Sequence, residues 1–182
     1  MDRYNLIDGI YVYYITFIIL DWLPVFVNPE PTQILVESMR FCIKEKGMRI
    51  HAYVIMPNHI HMIVFDRKFD NAHLQQALAA YRKYTGRRLA DYIENNLSES
   101  LALVIRSKEL EDRDRQVWQP GWHAEGLVSE SFWMQKMNYI HEKPVRKGYV
   151  RLPEQWQYSS AGYWLNGVVG DVSVVPIQSE EE

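Results

Sequence analysis

Along this chain the spacing of apolar residues switches between two and three-or-four, and each switch marks a change of element. Residues 10–20 form an uncharged run dominated by β-branched and aromatic residues, which predicts a buried strand. The segment Asp21 to Pro31 is rich in Pro, Asn and Asp and reads as a loop. Ile34, Leu35, Met39, Cys42 and Ile43 then recur at helical spacing, predicting an amphipathic helix over 32–46 that Gly47 ends. Residues 49–56 and 59–65 predict two strands joined by a tight turn at Pro57-Asn58. A long helix is expected over 71–95, and a charged helix and loop over 97–116. Residues 117–128 suggest a fourth strand, broken by Pro120 and Gly121. Ser129 is the expected N-cap of a helix running through Glu142, with Pro144 and Gly148 closing it. The aromatic-rich stretch 156–164 reads as an anchor for the C-terminal end.

Strand, helix, strand, strand, helix, strand, helix is the order of an α+β, ferredoxin-like antiparallel sheet with helices packed on one face. The length of 182 residues suits one domain, expected over 1–165, followed by an acidic tail over 166–182. The first apolar run is not a membrane span, because Asp21 and Pro24 interrupt it and no basic flank accompanies it. No signal-peptide pattern precedes it. The single cysteine, Cys42, permits no internal disulfide and no thiolate cluster, which fits a cytoplasmic protein.

A net charge of −3 argues against a nucleic-acid partner until its distribution is considered. Asp171, Glu180, Glu181 and Glu182 lie in the last twelve residues, and without those four charges the net is +1. Arg82, Lys83, Arg87 and Arg88 form a local basic cluster, three of which can share one flank of a helix. Such a flank suits phosphate contacts, and a plain solvated helix face is the alternative.

The candidate chemistry lies in His59 and His61, two apart in the third predicted strand. Side chains at i and i+2 point to one face, so the two imidazoles can share a divalent metal. Met56-Pro57-Asn58 and Met62-Ile63-Val64 flank the pair, and burying imidazoles without partners is costly unless something binds them. Trp118 and Trp122 could stack bases or pack in the core, the latter being the reading adopted. His51, His73, His123 and His141 are given no catalytic role, although His123 falls on a strand expected to run near the pair.

Four blocks in order carry a family resemblance: Val54-Ile55-Met56-Pro57-Asn58-His59-Ile60-His61; Val117-Trp118-Gln119-Pro120; Tyr139-Ile140-His141-Glu142-Lys143-Pro144-Val145-Arg146-Lys147-Gly148-Tyr149-Val150; and Tyr158-Ser159-Ser160-Ala161. Together they resemble the REP-associated tyrosine transposases, a group of HUH single-strand transposases, over roughly residues 10–165. The resemblance implies a transposase that cuts and rejoins single-stranded DNA at hairpins. It further implies that His59 and His61 hold Mg²⁺ or Mn²⁺ against the scissile phosphate. Tyr139 would attack to give a 5′-phosphotyrosine and a free 3′-hydroxyl. Transesterification conserves the bond energy, in keeping with the lack of a phosphate-binding glycine loop. Tyr92, in Tyr92-Ile93-Glu94-Asn95-Asn96, imitates the tyrosine block but lacks the Pro-Val and Gly that follow it.

The chain departs from the family at Lys143, where Asn or Gln commonly stands as a third metal ligand one turn after the tyrosine. A protonated lysine has no lone pair to offer. Glu142 or Gln135 could substitute, or metal affinity is weakened; Lys143 could instead contact DNA phosphate or favour the phenolate. A hairpin-binding protein that has lost strand transfer is the second reading, and a small-nucleotide phosphodiesterase is the third. A homodimer, with one subunit's tyrosine serving the other's metal, is the alternative to a monomer.

Overall fold

The computed structural model describes residues 6–106 and 114–177. Strands β1 (Val12–Ile18), β2 (Met48–Met56), β3 (His59–Asp66) and β4 (His123–Gly126) form one antiparallel sheet in the order β2-β3-β1-β4. Helix α1 (Pro29–Glu45) connects β1 to β2, and α2 (Asn71–Asn96) with the short α3 (Glu99–Ile105) connects β3 to β4. This is the α+β, ferredoxin-like arrangement expected from the element order.

As predicted, α1 and α2 cover one face, where Ile15, Phe17, Leu35, Met39, Met62 and Leu78 share a core. Helix α4 (Glu130–Arg146), expected on that same face, lies instead on the other, where Tyr14, Val54, Ile63, Met137 and Ile140 form a second core. The physical reason is visible in β3, which is apolar at both parities and buried throughout. A strand of that kind needs cover on both faces. A β-bulge at His51 shifts the alternation of β2, so Ile50 and Tyr53 face the first core while Ala52 and Val54 face the second.

Several boundaries differ from the sequence reading. Only His123–Gly126 of the expected strand 117–128 joins the sheet. Pro120-Gly121 breaks the run, and Trp118 makes a separate bridge to Ile19. Ser129 caps α4 as predicted, accepting a hydrogen bond from the Phe132 N–H at 3.3 Å. The helix continues beyond Glu142 to Arg146 and takes Pro144 into its final turn. Gly148, at φ +73°, then reverses the chain and donates to the Val145 carbonyl. Most of the charged stretch after α3, from 107 to 113, lies outside the described residues.

The aromatic anchor is present. The indole N–H groups of Trp156 and Trp164 donate to the carbonyls of Ile55 and His51, and the last of these sits on short helix α5 (Ala161–Asn166). Residues 171–177 of the expected tail belong to the fold: the Val175 N–H donates to the Ile50 carbonyl, and Val172 and Val174 are buried. Glu180, Glu181 and Glu182 lie outside the described residues. No described helix is long and apolar enough to cross a membrane.

His141 is buried where α4 meets the sheet, its Nε2 2.8 Å from the Ser160 hydroxyl, which accepts from the Tyr53 N–H. Burial pushes His141 down to about 4, and also lowers His51. A histidine held neutral in the fold binds its proton only when unfolded, so stability is full above pH 6.5 and falls as the pH drops toward 4. Urea titrations at pH 7 and pH 4.5 will show that loss, with His141 contributing on the order of 3 kcal/mol. His141→Asn, which keeps a polar partner for Ser160, will lessen the pH slope, the remainder coming from the other buried histidines.

Candidate active site

His59 and His61 face α4, on the side of the sheet away from α1 and α2. Alternation puts them on the same face as Ile63 and Phe65, while Ile60 and Met62 enter the first core. Both are nearly covered, at 6% and 5% exposure, and their ring centroids are 4.8 Å apart.

Each imidazole is held by its Nδ1. The antiparallel register of β1 and β3 sets Thr16 opposite His61, and the hydroxyls of Thr16 and Tyr14 lie 2.8 and 2.7 Å from His61 Nδ1. His59 Nδ1 is 2.6 Å from Asn58 Oδ1. The other end of that amide, Nδ2, donates to the Trp22 carbonyl, which fixes which way the amide points. An amide oxygen only accepts, so Nδ1 of His59 carries the proton and its Nε2 presents a lone pair.

The Nε2 atoms of both histidines are buried with no hydrogen-bond partner among the described residues. Leaving such atoms unpaired costs about 1–3 kcal/mol each. Burial first, then the Lys143 ammonium, pushes His59 down to about 3 and His61 to about 2. At neutral pH these are two uncharged rings with free nitrogens, the state a metal ligand requires. Among the described residues no cluster of three His, Cys, Asp or Glu side chains forms. The fit to a divalent ion therefore rests on two nitrogens.

Tyr139 lies on α4 beside the pair, its ring centroid 5.8 Å from that of His61 and 6.3 Å from that of Tyr14. It is 37% exposed, whereas Met137, Ile140 and His141 on the neighbouring faces of the helix are buried. The sequence-distant candidates His59, His61 and Tyr139 are thus brought together. Tyr92 is not: it stands on α2, across the sheet, where its hydroxyl accepts from Asn28.

Lys143 is one turn beyond Tyr139, and its Nζ donates to the Tyr139 hydroxyl at 3.0 Å. Lys136, one turn before, occupies the same flank; it lies 4.8 Å from the Tyr14 ring centre and forms an ion pair with Glu125 at 2.6 Å. Gln135 and Glu142, proposed above as substitute ligands, fall at i−4 and i+3 from Tyr139. At about 100° per residue those positions lie on the opposite flank from Lys136 and Lys143. The guanidinium of Arg146 covers the Tyr139 ring at 5.7 Å.

The basic cluster lies elsewhere. Arg82, Lys83 and Arg87 line a groove of about 780 Å³ with Trp118 and Trp122, on the α2 side of the sheet. Arg82 donates to the Gln119 carbonyl and sits over Phe17. Arg88 stands apart, bonded to the Tyr84 hydroxyl at 3.2 Å. Trp118 is a core residue, as read from the sequence, and its indole N–H donates to Thr85. His123 is exposed on β4 opposite Thr16, and His73 pairs with Asp66.

The sequence reading did not single out Tyr14, Thr16, Asn58 or Trp22. Thr16 carried a usable signal, being a hydroxyl inside an otherwise apolar run. Ring ¹⁵N spectra will show His59 and His61 both neutral, His59 as the Nδ1–H tautomer, with shifts that stay flat from pH 8 to pH 5. Tyr14→Phe combined with Thr16→Val will disturb the His61 signals and leave those of His59 in place.

No protein-family model matches the chain, and no curated protein matches it in sequence. Among solved structures, a REP-associated tyrosine transposase bound to a REP hairpin superimposes with a TM-score of 0.61 at 14% identity, over 99% of this chain and 95% of that one. A candidate transposase from Deinococcus radiodurans R1 superimposes with a TM-score of 0.47 at 17% identity, over 79% of this chain and 98% of that one. At such identity the first likeness is one of fold: over nearly its full length this chain is built as a REP-associated tyrosine transposase is built.

Proposed function

We propose that this protein cuts and rejoins single-stranded DNA at hairpins, with Tyr139 as the nucleophile and His59 and His61 holding Mg²⁺ or Mn²⁺. The observation that carries the reading is the pair of buried, neutral, unpartnered Nε2 atoms beside an exposed tyrosine. The fold shared with a transposase bound to a REP hairpin supports it, as do the four sequence blocks in order.

His59 and His61 would supply two nitrogen ligands, and the ion would withdraw charge from the scissile phosphate. The remaining work falls to residues of the chain. Tyr14 and Thr16 orient His61, and Asn58 orients His59, so that both Nε2 lone pairs are fixed before substrate arrives. The Tyr139 oxygen attacks phosphorus, the new O–P bond forms, and the bond from phosphorus to the 3′ oxygen breaks. The phenolic proton is balanced by protonation of the departing 3′ oxygen. Lys143, donating to the Tyr139 oxygen, orients the nucleophile and steadies the charge on it as the proton leaves. The groove of Lys83 and Arg87 would hold backbone phosphates of the hairpin, which positions DNA without reading its sequence.

Tyr139→Phe will bind hairpin oligonucleotides as the parent does but form no denaturation-resistant protein–DNA band. His59→Ala and His61→Ala will each lose cleavage and, by calorimetry, divalent-ion binding, while remaining folded. Cleavage at the parent rate by both histidine variants would refute the metal assignment.

Lys143 also favours a second reading, a hairpin-binding protein without strand transfer, because an ammonium occupies the position where the family commonly has an amide. Lys143→Asn separates the two. Removing a cation that faces both histidines will tighten metal binding. At saturating metal, covalent adduct will fall roughly tenfold or more, as expected for a lost charged hydrogen bond. A rise in adduct instead would mark Lys143 as the lesion that silenced the enzyme.

A further inference from the structure

Trp22 is the residue outside the proposed machinery whose setting calls for a ligand. It is 53% exposed, yet the backbone that carries it is tied into the fold. Asp21 and Trp22 follow β1 with φ of +51° and +58°, two consecutive residues in the left-handed region. For residues with a Cβ this costs about 1–2 kcal/mol apiece, and for a bulky side chain it is rare. The turn persists because its surroundings hold it. The Leu20 N–H donates to the Val117 carbonyl, the Phe26 N–H to the Pro57 carbonyl, and Asn58 Nδ2 to the carbonyl of Trp22 itself.

The result is an indole standing edge to face with the His59 ring, centroids 5.8 Å apart and planes at 76°. The same amide that clamps the Trp22 carbonyl orients His59. The turn also adjoins the segment 117–119, whose Val117 and Trp118 line the basic groove on the other side of the sheet. The turn that carries Trp22 therefore connects the histidines that would hold the scissile phosphate to the segment that lines the groove.

We propose that Trp22 is a stacking platform for the nucleobase adjoining the scissile phosphate. The inference rests on the proposed function and adds to it how the unpaired strand is seated. A phosphate at His59 places its neighbouring bases within one nucleotide of the indole, and an aromatic face accepts any base. Prior rigidity matters because a platform already ordered loses little entropy on binding. Left-handed backbone strain at Asp21-Trp22 is thereby put to use in presenting the indole outward.

The test uses the full chain carrying Tyr139→Phe, with Mg²⁺ present, so that the strand is seated as proposed but not cleaved. Hairpin oligonucleotides carry 2-aminopurine at one position at a time along the unpaired flank. One position is expected to be quenched on binding, and to regain its fluorescence when Trp22→Ala is added. The affinity of that variant will fall roughly 5- to 150-fold, the range for one lost base stack. Trp22→Phe will keep most of the quenching and affinity, which also shows that loss in the alanine variant is not a folding defect. Parental affinity and quenching in Trp22→Ala would overturn the inference alone. Failure of the Tyr139→Phe protein to bind any hairpin would overturn it together with the proposed function.

Discussion

The pairing of β3 between β1 and β2 is the constraint on which the candidate site depends. Side chains on a strand alternate with a period of two, so slipping β3 by one residue would turn His59 and His61 into the core under α1 and α2 and bring Ile60 and Met62 beneath α4. The tight turn at Pro57-Asn58 fixes the register, and a slip would bury both imidazoles in the apolar core under α1 and α2. The same register sets Thr16 opposite His61 and puts the Tyr14 hydroxyl within hydrogen-bond reach, so one set of backbone bonds aligns His61 and the groups that orient it. The cost is two buried nitrogens without a hydrogen-bond partner among the described residues, which calls for an explanation such as a bound ion.

Much of this arrangement was legible in the sequence because it is governed by local periodicity. The strand 59–65, the helix from 71 and the Ser129 cap follow from spacing and capping chemistry, and the structure places them with shifts of a residue or so. The order of elements led to the ferredoxin-like sheet. The extent of α4 was less legible. Pro144 usually ends a helix, but in the last turn it forgoes only one hydrogen bond, and buried Pro144 and His141 hold that turn against the sheet. Which face α4 would cover could not be read from its own pattern, since amphipathicity gives a helix an apolar side but not a destination.

The proximity of His59, His61 and Tyr139 is a tertiary fact, with 77 residues between His61 and Tyr139. Ordered motif blocks suggested it, and the fold brings the blocks together. Hydrogen-bond partners of the imidazoles were harder to foresee. Thr16 stands out in its otherwise apolar run, but its role and that of Tyr14 emerge only once β1 is laid against β3. The left-handed turn at Asp21-Trp22 had no glycine to announce it, because the surrounding hydrogen bonds impose the conformation rather than the residue types.

Charge around the site follows a pattern that the net charge of −3 conceals. Lys136 is balanced by Glu125, while Lys143 and Arg146 stand over Tyr139, and Lys143 with Lys147 acts on His59. These cations work against protonation of the histidines, and that keeps the Nε2 lone pairs available. They also repel a metal ion arriving alone. On the proposed function an anionic strand would reverse that balance, because its phosphates would neutralise the lysines and bring oxygen ligands with them. On this account DNA and metal bind cooperatively, each lowering the cost of the other, and the two-nitrogen donor set is complete only when the substrate is in place.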